Sequence, residues 1–317
     1  MTTAVTKKKI VLPFYHTVAE QPLPHIKHLY RMKTVKEFQQ DLDFLLKHFE
    51  PIDAEMLHHL HINQIITKNP VFHLTFDDGL KEIYEIVSPI LLAKGVPATF
   101  FVNSGFVDNK ALFYRFHASL AIEHLEKEKT LTDCIKNKIL SCSYQDKEKL
   151  LPYFSQQQVD DFLNNEKPFL TTAQIQTLSK QGFTIGAHSI DHPYFYKIPF
   201  AEQLRQTRES VDFVSSIVKQ KLRLFAFPFT DFNVSRNFFE EIEPSIDLSF
   251  GTAGLKNDEI LFNLQRIGAE KNKFESLQSV LQKGYMKYIV RFFLRKNTIY
   301  RKASIESEPK ITNSKIK

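Results

Sequence analysis

The chain has 317 residues, 43% of them hydrophobic, enough for a sizeable core built as one large domain or two smaller ones. Its formal charge of +6 is unevenly spread: residues 271–317 carry 12 Lys/Arg against 3 Asp/Glu, or +9, which leaves the preceding chain at −3. That balance argues against a basic body tracking nucleic acid, and no stretch is apolar over the roughly 18 residues that a spanning helix needs.

In chain order, the first apolar run is Ile10 to Tyr15. It contains Pro13 and is too short for a secretory signal core, although lysines precede it. Two cysteines, Cys134 and Cys142, make neither a disulfide framework nor a metal cluster. The expected location is therefore the cytoplasm, including the inner face of a membrane.

"KIVLPFYH" (9–16) predicts a buried strand, and "TVKEFQQDLDFLLKHF" (34–49) a helix capped by Thr34. "VFHLTF" (71–76) predicts a strand, "EIYEIVSPILLAKG" (82–95) a helix restarted near Pro89 and ended by Gly95, and "PATFFVNS" (97–104) another strand. This is the βαβ pattern of a parallel sheet. Residues 114–168 interrupt it with short helical patterns and no strand, which reads as a helical insertion. Helices at 171–182, 200–218 and 235–242 then alternate with strands at 183–188, 224–229 and 248–251. A long helix is expected near 274–299. The organisation is thus a barrel over 8–270, a basic amphipathic helix over 271–302 and a disordered tail over 303–317.

Two clusters carry chemistry. "LTFDDG" places Asp77 and Asp78 at the end of a strand, where a plain Asp-Gly turn is the alternative. "HSIDH" places His188 and His192 four residues apart after the strand "FTIGA". Strand C-termini share one face of an α/β barrel. Asp, His and His there make a three-ligand site with an open position, of the kind zinc uses in hydrolysis. The second carboxylate is then free to act as a base.

These two clusters resemble the first two motifs of the polysaccharide deacetylase family, the NodB-homology carbohydrate esterases. "FLTTAQIQTLSKQGFTIGAHSIDHP" and "GVPATFFVNSGF" extend the resemblance, and "FAFPFTDFN" (225–233) sits where the family carries an Arg-x-Pro-Tyr-Gly motif. The resemblance implies a distorted (β/α)7 barrel and a metal-dependent deacetylase acting on an N-acetylated amino sugar or a polysaccharide precursor. It implies Asp77 as base, Asp78, His188 and His192 as ligands of a divalent transition metal such as Zn2+, and the Phe229 N–H as oxyanion donor. Ala226 stands where the motif has Arg. Arg266, in "LQRIGAE", either replaces that Arg from another strand or makes a surface ion pair. No histidine follows His192 to serve as the acid. His16, in "PFYHTV", resembles the Tyr-His of circularly permuted deacetylases acting on biofilm poly-N-acetylglucosamine, where that His is the acid; the alternative is a structural histidine at a strand end. His73 reads as structural.

Tyr194, Phe195, Tyr196, Phe229 and Phe232 are candidates for stacking on sugar rings. Lys283, Lys287, Arg291 and Arg295 form a ridge on the last helix, either solvated or facing an anionic membrane surface. Hydrolysis of another non-peptide C–N bond, or a non-catalytic carbohydrate-binding role, remains open on the same fold.

Overall fold

Short apolar strands alternating with helices close into a barrel. This computed structural model describes residues 8–270 and 275–303. Eight strands make one sheet: β1 (Pro13–Tyr15), β2 (Leu74–Phe76), β3 (Ala98–Val102), β4 (Thr184–Ala187), β5 (Leu224–Ala226), β6 (Leu248–Gly251), β7 (Asn263–Gln265) and β8 (Ile267–Gly268). Their order is β7-β6-β5-β4-β3-β2-β1-β8, and every pairing is parallel. Only Arg266 parts β7 from β8. The first half of this run pairs with β6 (Asn263 opposite Ser249) and the second with β1 (Ile267 opposite Pro13), which brings the two edges of the sheet together. Counted as runs of chain the strands are seven, as expected. All five residues of β3, Ala-Thr-Phe-Phe-Val, are buried, the pattern of a parallel strand covered on both faces.

The predicted strands at 9–16 and 71–76 each divide. Their first parts, Ile10–Val11 and Val71–Phe72, join Glu50–Pro51 in a separate three-stranded sheet. His73 sits at one division. Its Nδ1 bonds the Ile52 carbonyl at 2.7 Å and its Nε2 the Thr99 hydroxyl at 2.8 Å, a fully satisfied structural histidine.

Several helices begin at side-chain caps. Thr34 and Glu37 form a capping box on α1 (Val35–His48), and Asp53 caps α2 (Ala54–Ile62), a helix the sequence pattern did not signal. A π-turn at Ile83–Val87 leads into α3 (Ser88–Lys94), which Gly95 ends in the left-handed conformation at φ 63°. The insertion holds α4 (Tyr114–Lys127), α5 (Asp133–Leu140), a 3-10 turn at Tyr144–Leu150 and α6 (Gln156–Glu166). Its inner side chains, among them Ala118, Ala121, Ile122, Ile139 and Leu150, pack as a small core of their own.

The barrel resumes with α7 (Thr172–Lys180), α8 (Phe200–Ile217) and α9 (Arg236–Ile242). The last helix, α10 (Leu277–Phe293), is shorter than expected at both ends. Ser276 caps its start, and beyond Asn297 the chain turns into a strand at Thr298–Ile299 paired with Asn257–Asp258. Residues 271–274, and the expected tail beyond Ala303, lie outside the described residues. Among the described residues no helix is long and apolar enough to cross a membrane.

Candidate active site

The chemistry-bearing residues gather at the C-terminal ends of the strands. His16 follows β1, Asp77 and Asp78 follow β2, His188 follows β4, Phe229 lies three residues past β5, and Glu270 two past β8. They line one cavity of about 490 Å³ together with Phe14, Leu29, Tyr30, Phe113, Arg115, Tyr194 and Thr252.

Backbone geometry sets the two adjacent carboxylates apart. Asp78 and Gly79 are both left-handed, at φ 71° and 63°. A Cβ on Gly79 would also lie 3.0 Å from Val102 Cγ1, so glycine answers both constraints. Asp78 turns to the histidines. Its Oδ1 lies 3.2 Å from His192 Nε2 and 3.6 Å from His188 Nε2. Asp77 turns instead to Arg266, which grips it with both ends of the guanidinium, Nη1 to Oδ1 at 2.7 Å and Nη2 to Oδ2 at 2.9 Å.

Arg266 is fully buried, so its reading as a surface ion pair is overturned. It also bonds the Thr75 hydroxyl (3.0 Å) and the Gly251 carbonyl (3.3 Å), and its guanidinium lies 4.7 Å from the Phe14 ring centroid. Burial pushes the Asp77 carboxyl up, but the charges of Arg266 and His188 and the Arg266 hydrogen bonds hold it below its ordinary value.

The Asp78, His188 and His192 side chains are buried, and their ligand atoms lie within 4.8 Å of one another. The donor set fits a divalent cation on two further counts. Asp78 Oδ1 is buried with no hydrogen-bond partner. His188 Nδ1 lies 2.8 Å from the Ala226 carbonyl; a carbonyl only accepts, so Nδ1 carries the proton and Nε2 keeps its lone pair toward Asp78. Burial lowers the His188 pKa to about 4, which keeps the ring neutral as a ligand must be. Burial raises the Asp78 carboxyl, but His192 beside it overrides this and holds it well below the carboxylate range.

The loop carrying the histidines is braced from beneath. Gln206, fully buried on α8, accepts from the N–H groups of Ile190 (2.9 Å) and Asp191 (3.3 Å), Asn103 donates to the His188 carbonyl, and Ser189 Oγ accepts from His192 N–H at 3.0 Å. Such bracing accompanies left-handed backbone at Ser189 (φ 68°) and His192 (φ 62°).

His16 lines the same cavity as the histidine pair. Its Nδ1 lies 2.7 Å from Glu270 Oε2, and the His16 N–H donates to the same oxygen at 3.0 Å. Burial lowers its pKa, but the Glu270 hydrogen bond and charge, with the charges of Asp78 and Asp77, raise it to about 9. Phe229 is left-handed at φ 56°, and its N–H makes no hydrogen bond among the described residues. Its ring stacks on Tyr194 at 3.8 Å and meets His192 at 4.5 Å. Of the other aromatic candidates, Phe195 is fully buried in the core, and Tyr196 and Phe232 pair with each other outside the cavity lining.

Glu270, Tyr30, Phe113 and Arg115 were not singled out in the sequence. For Glu270 a signal was present, because strand alternation places Arg266, Gly268 and Glu270 on one face of one run. Tyr30, Phe113 and Arg115 come from loops and from the insertion, whose approach to the cavity no periodicity encodes.

A family model described as polysaccharide deacetylase matches residues 64–238. The chain belongs to the polysaccharide deacetylase family. Deacetylase folds recur among solved structures at low identity. The chain is similar to the Streptococcus pyogenes deacetylase PplD, solved with acetate, at 17% identity and TM-score 0.59 over 86% of this chain and 97% of that one. Ammonifex degensii IcaB matches at 16% and 0.59, over 87% and 97%. A de-N-acetylase from Aggregatibacter actinomycetemcomitans matches at 14% and 0.56, over 86% and 98%. No curated protein matches the chain. Family membership makes the chain a deacetylase, a hydrolase of C–N bonds with a carbohydrate substrate.

Proposed function

We propose that the chain is a divalent-metal-dependent deacetylase that removes the N-acetyl group of an N-acetylated amino sugar or polysaccharide precursor, releasing acetate and a free amine. One observation carries the reading: two adjacent carboxylates are given to different partners, Asp78 to a buried histidine pair and Asp77 to a buried arginine.

Asp78, His188 and His192 would hold the cation, most simply Zn2+, which supplies Lewis acidity to the attacking water and the acetyl carbonyl. Asp77, oriented by Arg266, takes a proton from that water. The Phe229 N–H, already directed by a left-handed backbone, donates to the oxyanion that develops on the acetyl oxygen. His16, held protonated and oriented by Glu270, gives a proton to the departing amine. Tyr194 and Phe229 offer a stacked aromatic wall against which a pyranose face rests. In this reading residues 8–270 carry the catalytic groups, Phe113 and Arg115, at the start of the insertion, wall the cavity, and the basic helix of 271–302 packs on the barrel core through Leu277, Leu281 and Tyr285.

The division of labour is tested by paired variants. Asp77→Asn retains metal and loses acetate release; Asp78→Asn loses metal itself. Equal metal content in the two purified variants would refute the assignment. His16→Ala keeps metal and loses about 10²–10⁴-fold in kcat on an amide, with much less loss on an aryl acetate ester, whose leaving group needs no proton. Equal fractional losses on both substrates return His16 to a structural role.

A further inference from the structure

Toward its C-terminal end the outer face of α10 is apolar, where a helix packed on a barrel is ordinarily polar. Its inner face, Leu277, Val280, Leu281 and Tyr285, is buried and carries the packing. On the opposite side Met286, Val290 and Phe293 recur at i, i+4 and i+7 and are 58%, 55% and 78% exposed. Phe292 (65%) and Leu294 (58%) carry the patch around the helix end. Contiguous exposed apolar surface of this kind marks an interaction site.

A basic ridge flanks the patch. Lys283, Lys287 and Arg291 lie at i, i+4 spacing, and Arg295 and Lys296 continue it past the helix end. Lys283 pairs with Glu275 at 2.8 Å. Lys287, Arg291, Arg295 and Lys296 have no carboxylate partner among the described residues. These charges select the occupant. A second copy docking the same patch about a two-fold axis would set like charges against each other. An anionic bilayer meets both requirements, because aromatic rings settle at the headgroup level and cations meet lipid phosphates.

We propose that the C-terminal end of α10 docks the protein on a bilayer surface rich in anionic lipid, with Met286, Val290, Phe292, Phe293 and Leu294 in the headgroup boundary and Lys287, Arg291, Arg295 and Lys296 on lipid phosphates. Lys287 and Arg291 also line a groove of about 360 Å³ that reaches Thr252, and Thr252 lines the active-site cavity too. Docking thus sets the mouth of the cavity beside the membrane. The inference does not depend on the metal reading, and its test needs no catalysis.

Cosedimentation of the full chain with vesicles is the test. Binding is expected to vesicles of equal parts phosphatidylglycerol and phosphatidylcholine, not to phosphatidylcholine alone, and is expected to fall with salt. Lys287→Glu with Arg291→Glu should weaken it at least about 25-fold, from roughly fivefold per basic residue. Phe292→Ser with Phe293→Ser should weaken it at least about tenfold by removing apolar burial. Lys287, Phe292 and Phe293 are exposed and Arg291 is half-buried at the rim of the groove; both variants should leave the thermal midpoint unchanged. Three results would overturn the proposal: no binding to the anionic vesicles, wild-type binding by both variants, or a dimer in solution that the Phe variant dissociates.

Discussion

Asp77 and Asp78 are neighbours of identical chemistry, and their environments alone separate them. The fork of Arg266 takes both oxygens of Asp77, whereas Asp78 faces two imidazoles. Arg266→Lys keeps the charge but loses the two-point grip, so kcat should fall while metal content holds. Arg266→Met leaves a buried, uncompensated carboxylate. With the arginine gone, burial raises the Asp77 pKa, and the acid limb of the kcat/KM profile should move to higher pH; an unmoved limb would show that Arg266 does not set the base. The pairing also links to stability. Asp77 titrates below its ordinary 3.8 in the folded chain, so its contribution is present above that value and is lost as pH falls through the folded pKa. His16 makes the complementary case. Its folded pKa is raised from 6.5 to about 9, chiefly by Glu270 once burial is overcome. A bound cation offsets the share owed to Asp77 and Asp78 and leaves that of Glu270. Glu270→Gln should therefore move the alkaline limb of the rate profile down by about 1–3 pH units. A limb that stays in place would exclude His16 as the titrating acid.

At the scale of elements, the loop after β5 that carries Phe229 is anchored by the segment that follows α10. Arg301, just past the strand at Thr298–Ile299, donates to the Asp231 carbonyl (2.5 Å) and to the carboxylates of Asp231 and Asp258. Gln265 and Asn263 on β7 donate to the Asp231 carboxylate oxygen Oδ2 at 2.6 and 3.0 Å. Gly251 leaves room for that carboxylate, because an added Cβ there would lie 2.3 Å from Asp231 Oδ2. Asp231 and Arg301 side chains are each about 3% exposed, so breaking the pair strands a buried charge. Arg301→Met should cost about 3–5 kcal/mol in urea unfolding and should lower kcat through Phe229 more than it raises KM. A loss below about 1 kcal/mol, the range of an exposed pair, would show that the network does not hold the loop.

Across the whole molecule, the barrel was legible because its strands are apolar runs ending in polar residues and its helices carry caps such as Thr34 and Thr171. The cluster of Asp78, His188 and His192 could be picked out because all three sit at strand ends that any parallel barrel gathers on one face. What escaped depends on pairing across long separations. The division of the strands at Leu12 and His73, and the meeting of β7 and β8 with opposite edges of the sheet, are set by partners far away in sequence. Glu270 was missed because its partner, His16, is 254 residues away. The reading of the molecule as a metal-dependent deacetylase is tested most directly by acetate release from an N-acetylglucosamine oligomer, followed together with bound metal. The account predicts one divalent ion per chain, loss of acetate release when a chelator removes it, and recovery on adding back one equivalent of Zn2+. His188→Ala should lose both metal and activity. Acetate release that persists undiminished in the metal-free chain, or its absence from the fully loaded one, would contradict the account.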